Sequence, residues 1–501
     1  MGNVLVKEET LTQIADAIRE KSGSSDSYRP GEMPDAILEI STYSGEGADP
    51  NKPVRFYDPY GELVYSYTTN EISQLEELPP LPEIKGLIGQ EWNWSLEKIL
   101  EIGGEIEIGS NYITDDGATR IYVELIDGAL NPKIGFKQNV ANSVKIDWGD
   151  GSEWETSDVF GGSAVSIEHQ YAEPGSYVIC LIPDDGVTFE LYGYSYSSVI
   201  LHKELASSYS NLVYANAIKK VELGKGITVL GDNAFTCASI TSITIPAEVT
   251  DYNRAFAANK GIEYLVITKA VSSLTTSAFD DCLALKRVTF SETLLYVSQY
   301  AFYDCGQLEQ MVLTTRTRIG SGYTFSNNRS LKRVVIKDCS SIGDSEFSSC
   351  ATLREINIMG TALWEIGGNA FRNCESLEQI DIPDCVIRIG SYCFGYCYSL
   401  RNLTIPEGVT IVRSSLCYNA YSLQEIHIPE GVTSIENYAF YGCAGIENYY
   451  LYPSTPPTLA NKMAITVSAN TKIHVPKGSL EAYQTADVWS ELMDYMVEME
   501  E

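Results

Sequence analysis

The sequence predicts a mainly β chain with short helices: a solenoid of repeated coils, preceded by a β-sandwich and a small helical amino-terminal module. Three observations carry this. A line such as "AFRNCESLEQIDIP" (370–383) recurs every 21 to 24 residues through the carboxyl-terminal half. Ahead of it, "VKIDWGDGSEWE" and "EHQYAEPGSYVICL" join a hairpin turn signal to an alternating strand. The first 42 residues carry two apolar helical stripes that are too short to stand alone.

In residues 1–42, "LTQIADAIREKSG" lines up Leu11, Ile14, Ala15 and Ile18, and Pro34 in "YRPGEMPDAILEI" suits a second helix start. The pattern resembles an amino-terminal module found on phage tail proteins, which implies attachment or oligomer contacts. "STYSGEGADPNKP" reads as a linker opening a small mixed β/α region over 43–114. There a hairpin is expected around Pro59-Tyr60-Gly61, and Ser95 can cap a helix to about Ile102. Trp92 and Trp94 could stack on sugars, but core or interdomain packing is the reading favoured.

Residues 115–205 are expected to form the sandwich. Trp148 to Gly151, with Tyr171, Gly175 and Tyr177, resemble the turn and strand of the PKD-type immunoglobulin-like domain. Asp147, Asp150 and Glu153 have the chemistry to hold calcium, but turn formation is the reading favoured, because the spacing is not that of an EF-hand loop.

The repeats are expected over 206–452, about ten coils. Phe235, Phe256, Phe279, Phe302, Phe325, Phe347, Phe371, Phe394, Leu416 and Phe440 mark them. A period of this length belongs to a solenoid, in which each coil buries its apolar face only against its neighbours. Leu377, Ile380 and Ile382 read as the inward positions of a short strand that stops at Pro383. Three residues after the Phe stands Cys282, Cys305, Cys350, Cys374, Cys397 or Cys443, or else Asn259, Asn328 or Asn419. Both types are compact and can face a bent backbone from inside: Asn bonds main-chain groups, and Cys packs as a small hydrophobe with a weak donor. "LRNLTIPEGVTIV", "LQEIHIPEGVTSIENYAFYGC" and their copies over 212–452 resemble the BspA-like leucine-rich repeats of bacterial surface proteins. That resemblance implies the fold and a tendency toward adhesion. Over 453–501, "TKIHVPKGSLEAYQTADVWSELMDYM" reads as a strand and an amphipathic helix that cap the solenoid.

Composition narrows the function. Acidic residues outnumber basic ones 67 to 35, and a net charge of −32 repels a phosphate backbone, so nucleic acid is not an expected partner. No run of apolar residues suits a membrane span, the start lacks the pattern of a secretory signal and the end lacks a hydrophobic anchor, so neither membrane insertion nor self-export is expected. The twelve cysteines follow the repeat and are expected to be reduced. Cys393 and Cys397 in "CFGYC" lack a second pair to make a zinc site. No nucleophile or metalloprotease motif surrounds the four histidines, and His169 and His427 read as ordinary structure. No catalytic residue, metal or cofactor is expected.

Binding is the reading that remains. Outward strand positions change from coil to coil over a constant core, among them Lys286, Arg287 and Thr289, then Lys332, Arg333 and Val335, then Glu355, Gln379 and Glu425. Tyrosines cluster at the bends, and Tyr gives large contact area for little lost side-chain entropy. The candidate ligand-binding residues are Tyr303, Arg333, Glu355, Gln379, Tyr396, Tyr398, Tyr418, Tyr421, Glu425 and Tyr441. Taken together, the modules resemble tail-associated proteins of phages and prophages of gut Firmicutes. This implies a tail adhesin in the virion that binds a host-surface glycan or protein, with residues 1–42 contacting other tail proteins and the chain forming a homo-oligomer, a trimer being one form. The alternatives are a bacterial cell-surface adhesin, or a spacer within a tail-like particle.

Overall fold

The computed structural model describes residues 52–128, 130–193, 200–202, 218–236, 238–313, 317–320, 322–337 and 339–500. The module expected over 1–42 lies outside them, as does Cys237. The chain forms two compact units, one holding residues 52–55, 66–79 and 95–106 and the other 56–65, 80–94 and 107–500. In the smaller unit, Thr68 and Glu71 form a capping box on the helix Thr69–Ile72, and Ser95 caps the helix Leu96–Ile102, which ends at the left-handed Gly103.

In the larger unit the fold is mainly β, a leucine-rich-repeat solenoid of about 12 turns. Its ladders are parallel. Strands such as Gln310–Leu313, Arg333–Lys337 and Glu355–Met359 pair in register, and shorter strands such as Ser341–Ile342, Glu365–Ile366 and Arg388–Ile389 form a second ladder. The Phe rings of successive coils stack: Phe325, Phe347, Phe371 and Phe394 are fully buried with centroids 5.6 to 5.8 Å apart and planes within 6°. Coil spacing explains this, because parallel strands lie about 4.8 Å apart and an identical residue in each coil meets its own copy.

The cysteine column shows why Cys and Asn interchange. Cys374 Sγ donates to the Phe347 carbonyl at 3.2 Å and Cys397 Sγ to that of Phe371 at 3.1 Å, while Asn328 Nδ2 donates to that of Phe302 at 3.0 Å. Each ties its bend to the carbonyl of the Phe one coil earlier. One assignment needs correction. Cys417, rather than Leu416, occupies the Phe position, because Cys443 Sγ donates to the Cys417 carbonyl and Cys417 N to that of Ala439. Leu416 then fills the small-residue position and Ala420, not Asn419, the cysteine position; Leu and Cys together take the volume elsewhere given to a small residue and Phe.

All eleven described cysteines are free thiols, nine of them buried, and burial pushes Cys397 up to about 12, so thiolate is scarce. A thiol reagent applied to the native protein should therefore label Cys180 and Cys385 well before the buried column. Cys374→Ser should cost only about 1–2 kcal/mol, since the hydroxyl keeps the donor but is buried in apolar surroundings. Equal labelling of all positions in the native state would contradict this picture.

Both ends of the solenoid are paired. Two sheets pack around Trp148, Phe136, Ile179 and Phe189, and each continues into the first coils. Strand Ile218–Glu222 pairs with Thr119–Leu125 on one side and Ser242–Thr244 on the other, while Ile227–Leu230 pairs with Phe189–Leu191. Asp147 Oδ1 accepts from Gly149 N and Asp150 Oδ1 from Ser152 N, so both aspartates serve the turn. Gly149 has a φ of +74°, and a Cβ there would meet the Val178 carbonyl at 2.4 Å, so only glycine fits. At the far end, Met496–Glu498 adds a strand beside Lys472–Val475. The long amphipathic helix expected between them is two short ones, Leu480–Thr485 and the 3-10 turn Trp489–Tyr495, separated at Val488 with φ +63°. Tyr483 and Trp489 hang from the carbonyls of Pro453 and Pro457. Covering the last ladder edge in this way removes an aggregation surface.

Candidate functional site

From the coil of Phe256 to that of Phe440, each bend turns through two residues with positive φ, one two or three places before the buried Phe (or Cys417) and one two places after it. Asn369, Asn373 and Asp304 hold such places, as the left-handed region favours, and the small Ser345 and Ser349 hold two more. Tyr300, Tyr323, Tyr392, Tyr396 and Tyr438 hold others, with φ between 56° and 63°. A bulky ring gains nothing from this backbone, which costs roughly 1–2 kcal/mol for an ordinary L-residue. What the tyrosines gain lies on the outside.

There Tyr392, Tyr396 and Tyr438 join further tyrosines in one aromatic patch. Tyr418 lies between Tyr396 and Tyr441 at 5.4 and 5.2 Å, and Tyr398 stacks on Tyr421 at 5.4 Å with planes 4° apart. Tyr396 also meets Tyr398 edge-on, and Tyr438 meets Tyr441. The Arg372 guanidinium sits 5.3 Å from both Tyr392 and Tyr396 and closes one end by cation–π attraction. Tyr398 is 36% and Tyr421 50% exposed, so the pair offers both ring surface and hydroxyls to a partner. Five of the candidate residues, Tyr396, Tyr398, Tyr418, Tyr421 and Tyr441, thus come together. Tyr303 does not join them; it pairs with Tyr300 in a separate cluster with Tyr323.

The strand face is divided. Over the first coils it is occupied by residues 87–94 and 107–111. Asn93 donates to the carbonyls of Ile267 and Thr289, Trp94 Nε1 to that of Phe290, and Asn111 to that of Ile245. Gly109 lies so close that a Cβ would meet Thr289 Oγ1 at 2.3 Å. Arg287 stacks over Tyr57 at 4.4 Å with Glu107 beside it. Thr289 and Val335, expected to face solvent, are buried, and both tryptophans are packed inside rather than offered to a sugar. Farther along, Arg333 and Glu355 pair across neighbouring strands at 2.9 Å, and Glu355, Gln379 and Glu425 are exposed. Sequence reasoning missed Arg372 and Tyr392, and it also missed a ring column, His427, Tyr450 and His474, on this face.

With the coil geometry in hand, the family can be placed. A description of the BspA type leucine rich repeat region matches residues 188–282, 252–363, 338–447 and 364–478, more than half of the chain. The chain belongs to the BspA-type leucine-rich repeat family. Among solved structures, the pneumococcal vaccine antigen PcpA is 17% identical, covering 56% of this chain and 83% of its own, with a TM-score of 0.35. A leucine rich cell surface protein from Faecalibacterium prausnitzii is also 17% identical, covering 62% and 90%, with a TM-score of 0.31. A leucine rich repeat protein of T. pallidum is 22% identical, covering 40% and 76%, with a TM-score of 0.26. At this distance the likenesses say nothing of a ligand. No curated protein is significantly similar to this chain.

Proposed function

We propose that this BspA-type repeat protein is an adhesin that recognises a host-cell surface glycan or protein through the tyrosine patch of its bends, and that it does so as part of a phage tail. The observation that supports binding at the bends is that Tyr392, Tyr396 and Tyr438 of the patch stand in left-handed backbone where Asn or Asp would be at ease. Residues kept at a cost to the fold are the ones to examine for function. Residues 1–42 then hold the protein among other tail proteins, and several copies on one particle raise avidity without stronger single contacts. The same patch would serve an adhesin displayed on a bacterial surface.

The test combines Tyr396→Asn with Tyr398→Ala. Asn stands in the equivalent left-handed place at Asn373 and Asn419, so the double variant should keep or slightly raise its thermal midpoint. Binding to intact candidate host cells should fall about tenfold or more, that is by about 1.4 kcal/mol. Arg333→Ala with Glu355→Ala, on the strand face, should leave this binding within about twofold, since an exposed ion pair contributes little. Undiminished cell binding by the tyrosine variant would end the proposal. Antibody labelling of purified phage particles and of whole bacteria separates the tail setting from the cell-surface one.

A further inference from the structure

The strand face carries an aromatic stack outside the tyrosine bends. His427, Tyr450 and His474 pair in register on the strands Glu425–Ile428, Asn448–Leu451 and Lys472–Val475, with rings 4.6 Å apart and planes within 15°. Stacked at the spacing of the ladder, each ring shields its neighbour, and free ring faces remain only at the ends. On the side of His427, the register passes to Thr404, which is short and exposed. The stack therefore ends in a step one strand deep whose riser is the face of an imidazole. That ring is fixed, with Nδ1 sharing a 2.9 Å hydrogen bond with the Tyr452 hydroxyl and Nε2 lying 3.5 Å from the Glu425 carboxylate. Gln379 pairs with Asn402 and Ile380 with Leu403, so the same register brings Asp381 beside Thr404.

The charges around the step are unbalanced. Glu355 and Glu378 on this face hold Arg333 and Arg401, whereas Asp381 and Glu425 have no lysine or arginine partner among the described residues. We propose that the step receives the guanidinium of an arginine presented by a basic partner protein. A planar cation fits a slot one strand deep, stacks on the ring and meets carboxylates with its edge, where the compact ammonium of lysine cannot do both. The molecule uses this arrangement internally, with Arg287 over Tyr57 beside Glu107. A net charge of −32 draws cationic partners to the surface, while a neutral sugar leaves both carboxylates uncompensated.

The test uses the full chain and a labelled peptide, acetyl-Gly-Arg-Gly-Arg-Gly-amide, with its lysine counterpart and a neutral oligosaccharide as comparisons, read by anisotropy and by the His427 ring resonances. The arginine peptide should bind at least about fivefold more tightly than the lysine one, and Asp381→Asn should weaken it severalfold. Thr404→Phe extends the stack into the step with a strand-favouring residue, so binding should fall about tenfold or more at an undiminished thermal midpoint. Tyr398→Ala should leave peptide binding unchanged, which separates this site from the bends. Equal binding of the two peptides, arginine binding that survives both Thr404→Phe and Asp381→Asn, or a His427 response to the oligosaccharide alone would overturn the assignment.

Discussion

Phe371→Ala is expected to destabilise the repeat region by about 4 kcal/mol, near the upper range for deleting a buried aromatic. The ring is fully buried between those of Phe347 and Phe394, at 5.6 and 5.8 Å, and the backbone on either side is fixed: Phe371 N donates to the Cys393 carbonyl and Cys397 Sγ to that of Phe371. A site held on both sides by neighbouring coils cannot collapse around a lost ring, so the cavity stays open. Leu295→Ala, at an exposed position, should change stability by less than about 0.5 kcal/mol. The chain supplies its own control at 416–417, where Leu and Cys replace a small residue and Phe. Phe371→Cys alone should therefore lose about 3 kcal/mol, and Ala370→Leu added to it should restore a substantial part, a coupling that a double-mutant cycle in urea measures. A loss below about 1 kcal/mol for Phe371→Ala, or no coupling in the cycle, would show that the stacked column is not what holds the coils together.

The column was legible in the sequence because a solenoid repeats its interior, so one residue type returns at one period and every coil confirms the last. The slip at Leu416 has a physical origin: apolar pattern alone cannot tell Leu-Cys from Ala-Phe, and only the hydrogen bonds of Cys443 and Ala439 fix the register. Pairings that skip far along the chain were not legible. Nothing local in "NWSLEK" says that Asn93 and Trp94 will reach the carbonyls of Ile267 and Phe290, so Thr289 was expected in solvent and is buried. The bend tyrosines could be grouped by spacing, but their left-handed backbone could not, because propensity assigns Tyr anywhere else. His427 looked ordinary since one of its stacking partners, Tyr450, ends the last repeat and the column closes with His474 in the cap. Cross-strand neighbours became visible only when those strands were placed in the same ladder.

Glu346 leads to the second large effect, a loss of stability as pH rises through neutrality that Glu346→Gln should remove. It stands in the column elsewhere filled by Ala370 or Cys393, with its carboxylate buried, one oxygen accepting from Gly322 N and the other from Thr324 N, each at 3.1 Å. Burial pushes its pKa up to about 8, with Asp344 adding to the rise, and the hydrogen bonds from Thr324 and Gly322 only partly oppose it. Below about pH 4.5 the group is protonated in the folded and unfolded chains alike, so it adds no pH dependence there. Between there and about pH 8 the unfolded chain gives up a proton that the folded one retains, and stability falls steadily until both are ionised. At about 1.4 kcal/mol per unit of difference, the whole loss is on the order of a few kcal/mol. Asp280, which burial raises to about 6, acts in the same direction, so the measurement has to be a difference between variant and parent across pH 4.5 to 8.5. Glu346→Gln stays neutral and keeps an oxygen acceptor for one of the two amides, and its advantage over the parent should grow as pH rises. Glu346→Ala removes the charge but strands the amides of Gly322 and Thr324, so it should lose the pH dependence and be the less stable of the two variants throughout. A difference curve that is flat, or that favours the parent at pH 8.5, would mean that the carboxylate is held as an anion by those two amides and that burial does not govern it.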